Sequence, residues 1–267
     1  MDAQAREQRF IFGEAAELYD RARAGYPAAL VDDVLTYAAI DGARLRALEV
    51  GAGTGKATVA FAARGVEILA LEPSPAMAAL AMRNCREFPR VRIAASTFED
   101  WPVETGAFGL LFAAQSWHWV DPAVRLVKAA QALKERGVLA LMGHRVDWQG
   151  ELVRDEMDEI YARVAPDLLA HNPGLPGLRR ERDDGVTDEM MRTGNFDDVT
   201  QRSYQWSARL TAGGFVDLLA TQSDHRLLAE VVRAELFDAL RELITAHGGE
   251  VVVPELTRLR LARRRAA

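Results

Sequence analysis

A glycine-rich turn is the segment of this sequence with the clearest chemical potential. It reads Glu49-Val50-Gly51-Ala52-Gly53-Thr54-Gly55 and joins an apolar run to a segment with helical spacing. Glycine lets a backbone approach a ligand closely and adopts the positive φ angles that such turns often require. The free N–H groups at the start of the following helix favour a carboxylate or a phosphate. The turn therefore predicts a binding site for a ligand with an anionic group. A purely structural turn is the alternative.

Two well-known glycine motifs do not fit this turn. The dinucleotide fingerprint G-x-G-x-x-G would place its third glycine at position 56, where this chain has Lys56, and the third glycine comes early at Gly55. The phosphate loop G-x-x-x-x-G-K-[ST] would need glycine at 50 and Ser or Thr at 57, where the chain has Val50 and Ala57. The spacing therefore disfavours a nicotinamide or nucleoside triphosphate site.

Further polar and aromatic groups follow the next predicted strands. Glu72 closes the second strand 21 residues after Gly51, where a carboxylate can bind ribose hydroxyls. The third strand is followed by Ser96-Thr97-Phe98-Glu99-Asp100-Trp101 and the fourth by Gln115-Ser116-Trp117-His118-Trp119. Carboxyl ends of parallel strands meet at one edge of an open sheet, so this edge is the expected ligand crevice.

The elements that position these residues alternate between apolar runs and helical patterns, as in a parallel sheet covered on both faces. Predicted strands cover Arg46–Val50, Val66–Leu71, Val91–Ala95, Phe108–Ala114 and Val138–Met142. Predicted helices cover Pro27–Ala39, Lys56–Arg64, Pro75–Cys85 and Pro122–Leu133. The pattern indicates a doubly wound α/β fold.

The rest of the chain completes this predicted domain. Helical patterns at Glu151–Val164 and Thr187–Arg192, separated by the breaker-rich His171–Gly177, predict an inserted helical lid. Strands at Val199–Leu210 and Glu250–Leu261 flank helices at Gly214–Thr221 and Leu228–His247. We therefore predict one domain: a covering segment over 1–40, a cofactor-binding core over 41–144, the lid over 145–198 and the closing elements over 199–267.

Composition narrows the function classes. The chain has 267 residues, a net charge of −6 and one cysteine, Cys85. A net negative chain has no global attraction to phosphate polymers, so we expect no nucleic-acid partner. One cysteine permits no intrachain disulfide and fits a reducing compartment. Neither a secretory leader nor a run of about 18 apolar residues is present, so the sequence predicts a cytoplasmic protein without a membrane partner.

Four segments together resemble successive motifs of class I S-adenosylmethionine-dependent methyltransferases. They read LEVGAGTGKAT, LALEPSPAM, STFEDWP and AAQSWHWVDP, and the similarity covers roughly Phe12–His144. The relevant group is that of methyltransferase type 11, with the ubiquinone-biosynthesis and trans-aconitate enzymes. The resemblance implies a seven-stranded Rossmann-like sheet, mostly parallel, in which the last strand runs antiparallel beside the sixth.

The resemblance also implies S-adenosyl-L-methionine as cofactor and S-adenosyl-L-homocysteine as product. Gly51, Ala52 and Gly53 would wrap the methionine part, with Glu49 near its ammonium group. Glu72 would bind the ribose. The remaining implied contacts are with adenine, through Pro73, Met77, Thr97 and Phe98, and with the methionine and methyl group, through Gln115.

Two further assignments concern the segment that covers the cofactor and the catalytic base. In relatives the segment before the first sheet helix folds over the cofactor, and the similar pattern here suggests Tyr19 and Arg23 as closing contacts. A helix packed on the domain surface is the alternative. His118 is the candidate general base, since it titrates near neutrality beside the expected methyl site. Packing of His118 between Trp117 and Trp119 is the competing interpretation.

The sequence thus predicts methyl transfer to a small-molecule acceptor, with oxygen or nitrogen favoured as the accepting atom. The acceptor itself and the oligomeric state cannot be read from it. A nicotinamide-dependent oxidoreductase and a non-catalytic cofactor-binding subunit remain as alternatives. The glycine spacing disfavours the first, and the intact turn with Glu72 disfavours the second.

Overall fold

The computed structural model describes residues 16–38, 45–146, 152–171 and 185–266. Two helices, α1 (Ala16–Ala22) and α2 (Ala28–Ala38), precede the first strand. Residues 1–15 of the predicted covering segment lie outside these ranges. So do residues 172–184 of the predicted lid, which include most of its breaker-rich stretch.

A seven-stranded sheet organises the described chain. Its strands are ordered β3-β2-β1-β4-β5-β7-β6. The strands β1 to β5 are parallel, and β7 runs antiparallel between β5 and β6. The bounds of the strands are β1 Arg46–Val50, β2 Glu67–Leu71, β3 Val91–Ala94, β4 Phe108–Ala114, β5 Leu133–Val146, β6 Phe196–Thr211 and β7 Glu250–Arg264. The predicted Rossmann-like α/β fold, with its antiparallel last strand, is confirmed.

Helices connect the strands and cover both faces of the sheet. They are α3 Lys56–Ala62, α4 Pro75–Asn84, α5 Arg125–Ala132, α6 Leu152–Val164, α7 Pro166–His171, α8 Val186–Arg192, α9 Ala212–Ala220, α10 Ser223–Arg226 and α11 Glu230–Ala246, with a 3₁₀ turn at Trp117–Trp119. Local signals explain several starts. Ser74 caps α4, accepting a hydrogen bond from the Met77 N–H, and Pro75 occupies the first turn. The short helices α1, α7 and α10 were not predicted individually.

Successive side chains of each strand point to opposite faces of the sheet, so the apolar core has a part on each face. Leu48, Val50 and Leu111 point to the face that packs with α5 and α8. Ala47, Leu110 and residues of α2 and α3 form the opposite core. A third apolar cluster joins α6, α9 and α11 to the first residues of β7. From β1 the chain adds β2 and β3 on one side of the sheet and then β4 and β5 on the other. The ligand crevice of this open sheet is therefore expected between the ends of β1 and β4.

Two predicted boundaries around β5 were wrong. The helix predicted to end at Leu133 ends at Ala132, because Leu133 already pairs with Phe108 in the sheet. β5 then runs to Val146, beyond the predicted end at Met142, because β7 pairs with it over that whole extension. Its charged start is irregular, with Arg136 at φ 61° and a register shift opposite Phe108–Leu110. A charged irregular strand has no period-2 pattern that sequence reasoning can detect.

Candidate cofactor site

The glycine turn is held by bonds to the end of β2. Both the Gly51 and Ala52 N–H groups donate to the Leu71 carbonyl, at 2.9 Å each. Gly51, Gly53 and Gly55 have φ of 70°, 58° and 86°. At Gly51 a Cβ would lie 2.5 Å from the Cβ of Ser116, so only glycine fits between the ends of β1 and β4. At Gly55 the absence of a side chain allows the turn to pack closely against α4, because an added Cβ would lie 3.2 Å from the backbone of Ala81.

Glu72 braces this turn from the end of β2. Its Oε2 accepts a 2.8 Å hydrogen bond from the Gly53 N–H, and its Oε1 accepts one of 2.8 Å from the Ser74 N–H. The carboxyl group therefore fixes the turn relative to the start of α4. Glu72 also lines the cavity described next, although only 7% of its surface is exposed.

A cavity of about 480 Å³, partly open to solvent, lies at the carboxyl ends of β1, β2, β3 and β4. Its lining includes five residues assigned from the sequence: Gly51, Glu72, Pro73, Thr97 and Phe98. It also includes residues without a role assigned from the sequence: Val50, Ser96, Glu99, Ser116, Trp119 and Val120. Trp119 had a sequence signal, the aromatic run after the fourth strand, but the run alone does not show which ring faces a ligand.

Two of the predicted adenine contacts, Thr97 and Met77, interact with other residues of the protein. Thr97 bonds locally, since its hydroxyl donates to the Asp100 carboxylate at 2.7 Å and accepts from the Asp100 N–H at 3.0 Å. Met77 is buried under α1, where it packs with Ala16, Leu80 and Tyr19 rather than lining the cavity.

Glu49 is a buried carboxyl group beside the turn. Its Oε2 accepts a 2.6 Å bond from the Thr58 hydroxyl, while its Oε1 has no hydrogen-bond partner in the described part of the chain. Burial, with a further contribution from the nearby Glu72 charge, raises the pKa of Glu49 to about 8, although the Thr58 bond lowers it. An unsatisfied buried carboxyl oxygen is costly, so this atom is suited to a ligand that carries a hydrogen-bond donor.

The predicted covering segment packs on α4 and over the second half of the chain. Arg23 donates from Nε to the Thr221 hydroxyl at 2.8 Å, and its guanidinium lies 5.3 Å from the centre of the Tyr19 ring. Asn84 of α4 binds both the Asp20 carboxylate and the carbonyl of Thr54 in the turn. The segment therefore lies next to the glycine turn.

The remaining predicted residues lie at the ends of β4 and β5. Gln115 has φ 63°, a strained angle for a residue with a side chain, and its Nε2 donates to the His144 carbonyl at 3.0 Å. His118 lies in the 3₁₀ turn, where its side chain is exposed and its ring lies 4.8 Å from that of Trp119. His144 lies within β5, which continues for two more residues to Val146.

Comparison with known proteins identifies the family. The model of a methyltransferase domain matches residues 48–141, the part of the sheet that carries the turn and the cavity. A methyltransferase of Mycobacterium tuberculosis, itself uncharacterized, is 30% identical over 247 residues, which are 92% of this chain and 90% of that protein. The chain belongs to the methyltransferase family. The cofactor of this methyltransferase is S-adenosylmethionine.

Solved structures show the same fold. A protein of Anaeromyxobacter dehalogenans, assigned by name to the type II methyltransferases, has a TM-score of 0.60 at 23% identity, over 91% of this chain and 97% of that one. The Haemonchus contortus phosphoethanolamine N-methyltransferase 2 in complex with S-adenosyl-L-methionine has a TM-score of 0.54 at 14% identity, over 97% of this chain and 57% of that one.

The residues present fit S-adenosylmethionine. The turn excludes a side chain at Gly51, Glu72 offers a carboxylate at the cavity wall, and Glu49 has an unsatisfied oxygen beside the turn. These features match the backbone, hydroxyl and ammonium groups of such a ligand. In the described chain, no helix combines the length and the apolar character that crossing a membrane requires.

Proposed function

We propose that this methyltransferase transfers the methyl group of S-adenosylmethionine to a small-molecule acceptor, at oxygen or nitrogen. The observation that carries the proposal is the brace between Glu72 and the Gly53 N–H at the wall of the cavity. It places a carboxylate and a close backbone approach at the topological switch point of the sheet, where ligands of open α/β folds bind.

We further assign each part of the site a role. Gly51, Ala52 and Gly53 would hold the methionine part, Glu72 the ribose, and Pro73, Thr97 and Phe98 the adenine. Met77 packs against α1 beside Tyr19 and would act on the adenine only through neighbouring residues, and Gln115 would lie towards the methyl group. Tyr19 and Arg23, in the segment on α4, would cover the cofactor, and the helices of 145–198 would cover the acceptor.

The reaction needs positioning more than chemical assistance. Bound S-adenosylmethionine supplies an activated methyl group on a sulfonium. The protein aligns the acceptor with that group, excludes water and removes any acceptor proton, and alignment alone can lower a barrier by about 7–11 kcal/mol. The charged groups at the crevice, Glu49, Glu72 and Arg23, belong to this positioning system.

Calorimetry tests the proposal directly. We expect the purified protein to bind S-adenosylhomocysteine and S-adenosylmethionine, and to bind NADH far more weakly, because the third glycine is Gly55 rather than residue 56. Tight NADH binding without binding of either adenosyl compound would favour the oxidoreductase alternative. Transfer of labelled methyl from the donor to a metabolite extract separates an enzyme from a non-catalytic subunit.

Glu49 gives the site a measurable proton signature. Because the pKa of Glu49 is raised to about 8, its carboxyl group is protonated at pH 7 in the free protein. Pairing with a ligand ammonium group favours the ionised form, so binding of S-adenosylhomocysteine at pH 7 should release roughly one proton, and affinity should rise about tenfold per pH unit between pH 6 and 8. Calorimetry in buffers of different ionisation enthalpy measures this release.

The matched variant for this signature is Glu49→Gln. The amide cannot ionise, so the variant should bind more weakly and release no proton at any pH. Proton release that is equal in wild type and Glu49→Gln would show that another group is responsible. Tight wild-type binding without proton release would contradict the assignment of Glu49.

A further inference from the structure

A second group of polar and aromatic side chains lies where the sheet extends past the end of β4. His144 on β5 is directly opposite Thr257 on β7, and Glu255 is opposite both Val146 and Trp206. Residues two apart on a strand share a face, so His144, Thr257, Glu255 and Trp206 all point to one side of the sheet. We call these four residues, with Arg23 and Tyr26 above them, the β5–β7 cluster.

Hydrogen bonds and ring contacts fix the orientation of His144. The Tyr26 ring stacks on the imidazole with centres 4.3 Å apart. The Thr257 hydroxyl oxygen lies 2.7 Å from His144 Nδ1 and accepts a 2.8 Å bond from Trp206 Nε1. Since indole can only donate, Thr257 is best satisfied by donating its own proton to Nδ1. His144 Nε2 then carries the ring proton.

The ring of His144 stays neutral in this environment. Burial, and then the Arg23 charge, lower the pKa of His144 to about 4, although the nearby Gly25 backbone partly offsets this. The Nε2 atom is buried and has no partner in hydrogen-bonding geometry among the described residues. The Gly25 backbone lies close enough to Nε2 to raise the pKa of His144, so a bound molecule would share this donor with the Gly25 backbone or displace it.

Glu255 is the least explained charged group of the cluster. Only 9% of its surface is exposed, yet within the described ranges its carboxyl group makes neither a hydrogen bond nor an ion pair. The titratable groups near it are Arg23 from the covering segment, His144 on β5 and Tyr204 on β6. Burial raises the pKa of Glu255 to about 7, and the Arg23 charge partly opposes this. Largely buried carboxyl groups with a raised pKa and a nearby cation concentrate at functional sites.

The cluster is continuous with the proposed cofactor site. Tyr26 is partly buried and lies near both Glu49 and Arg23, whose charges act on its phenol in opposite directions. Gln115, at the end of β4, donates to the carbonyl of His144. The β5–β7 cluster thus lies next to the glycine turn, on the β5 side.

Building on the proposed function, we propose that the β5–β7 cluster binds the methyl acceptor, that this acceptor is a hydroxyl compound of phenolic or enolic type, and that Glu255 receives its proton. In the reaction the acceptor oxygen forms a bond to the methyl carbon while the carbon–sulfur bond breaks and its electron pair stays on sulfur. The hydroxyl proton passes to the Glu255 carboxylate and then to water. No further reactant is needed.

Charge decides between a hydroxyl group and other accepting groups. The Arg23 guanidinium opposes a second cation in this cluster, as its effect on His144 shows, so a protonated amine is disfavoured. The same cation, with the Nε2 proton of His144, stabilises an oxygen on which negative charge develops. A carboxylate acceptor has no proton to give and is repelled by ionised Glu255.

Three model acceptors with one ring and different accepting groups test this inference: 4-methylphenol, benzylamine and benzoate. With labelled methyl donor, we expect transfer to 4-methylphenol. With S-adenosylmethionine saturating at every pH, so that the Glu49 effect on cofactor binding does not contribute, kcat/KM for 4-methylphenol should be full above pH 7. It should fall about tenfold per pH unit below pH 7, because Glu255 must be ionised to accept the proton. Glu255→Gln should lower kcat by about 10²–10⁴-fold and remove that acidic limb, with unchanged affinity for S-adenosylhomocysteine.

Matched variants make the result specific. Glu250→Gln, an exposed position at the start of β7, should keep wild-type kinetics. At pH 9 4-nitrophenol is ionised and needs no base, so Glu255→Gln should methylate it at least as fast as wild type. The wild-type pH profile provides the test even if Glu255→Gln fails to fold.

Several outcomes would overturn the inference. One is a wild-type kcat/KM for 4-methylphenol that does not change below pH 7, and another is full activity of Glu255→Gln. A third is methyl transfer only to benzylamine or benzoate. The last is transfer to none of the three compounds by a protein that binds S-adenosylhomocysteine. Loss of the acidic limb in His118→Gln but not in Glu255→Gln would assign the base to His118, the rival from the sequence. Failure to bind S-adenosylhomocysteine would instead refute the proposed function.

Discussion

Replacing Gly51 with alanine should weaken the binding of S-adenosylhomocysteine by about 100-fold or more while the protein remains folded. Two costs add at this position. A residue with a side chain pays about 1–2 kcal/mol for the left-handed φ of 70°. The new Cβ would also lie 2.5 Å from the Ser116 Cβ, and overpacking costs about 1–3 kcal/mol more unless the turn moves. Movement of the turn relieves the clash but displaces the backbone that would hold the cofactor.

Two companion variants separate these costs. Gly65→Ala has the same kind of strain, with φ 82°, but open space around its Cβ, so it should lower the melting temperature and leave the dissociation constant unchanged. Combining Gly51→Ala with Ser116→Gly removes the opposing Cβ and should recover part of the lost affinity, measured against Ser116→Gly alone. Wild-type affinity in folded Gly51→Ala would show that the turn does not approach the ligand.

Replacing Glu72 with alanine should reduce cofactor affinity by roughly 10- to 150-fold, equivalent to about 1.5–3 kcal/mol for a lost charged hydrogen-bond partner. The loss has two sources in the structure. The ribose would lose its carboxylate, and the Gly53 N–H would lose the acceptor that holds the turn. Glu72→Gln should be intermediate, since an amide oxygen can accept from only one of the two N–H groups that the carboxylate satisfies.

The control for Glu72 lies on the same strand. Glu67, at the other end of β2, has an exposed carboxylate 3.5 Å from Arg46 and lies away from the cavity. Glu67→Ala should bind S-adenosylhomocysteine like wild type. Calorimetry on the three variants, with circular dichroism to confirm folding, gives the comparison. An unchanged dissociation constant in folded Glu72→Ala would remove this carboxylate from the site.

The cofactor half of the fold could be predicted from the sequence because its determinants are local. Strand β1, the turn and helix α3 are consecutive, so the glycine spacing that joins them can be recognised in the sequence. The contact with Ser116 that excludes a side chain at Gly51 is seen only in the structure. Glu72 is also predictable, since one helix and one strand fix its distance along the chain from the turn.

The arrangement of the β5–β7 cluster, which we propose as the acceptor site, could not be predicted for a physical reason. His144, Glu255 and Trp206 come together only because β7 returns antiparallel between β5 and β6 in one particular register. A shift of one residue would turn each side chain to the opposite face, and the sequence pattern does not specify the register at the charged ends of these strands. Trp119 illustrates the same limit, because the orientation of the 3₁₀ turn decides which aromatic ring lines the cavity.

The last strand in the sheet order, β6, has a consequence for the behaviour of the protein at high concentration. Its ladder to β7 is interrupted by a bulge between Asp197 and Thr200, and Asp198 in that bulge has φ 52°. The Tyr37 hydroxyl of α2 donates to the carbonyl of Asp198, and Arg202 pairs with Asp33 of the same helix. Bulges and charged side chains are among the means by which natural sheets prevent an edge strand from pairing with another molecule. At the first residues of β6, the bulge and these polar contacts therefore oppose pairing with the edge of a second molecule.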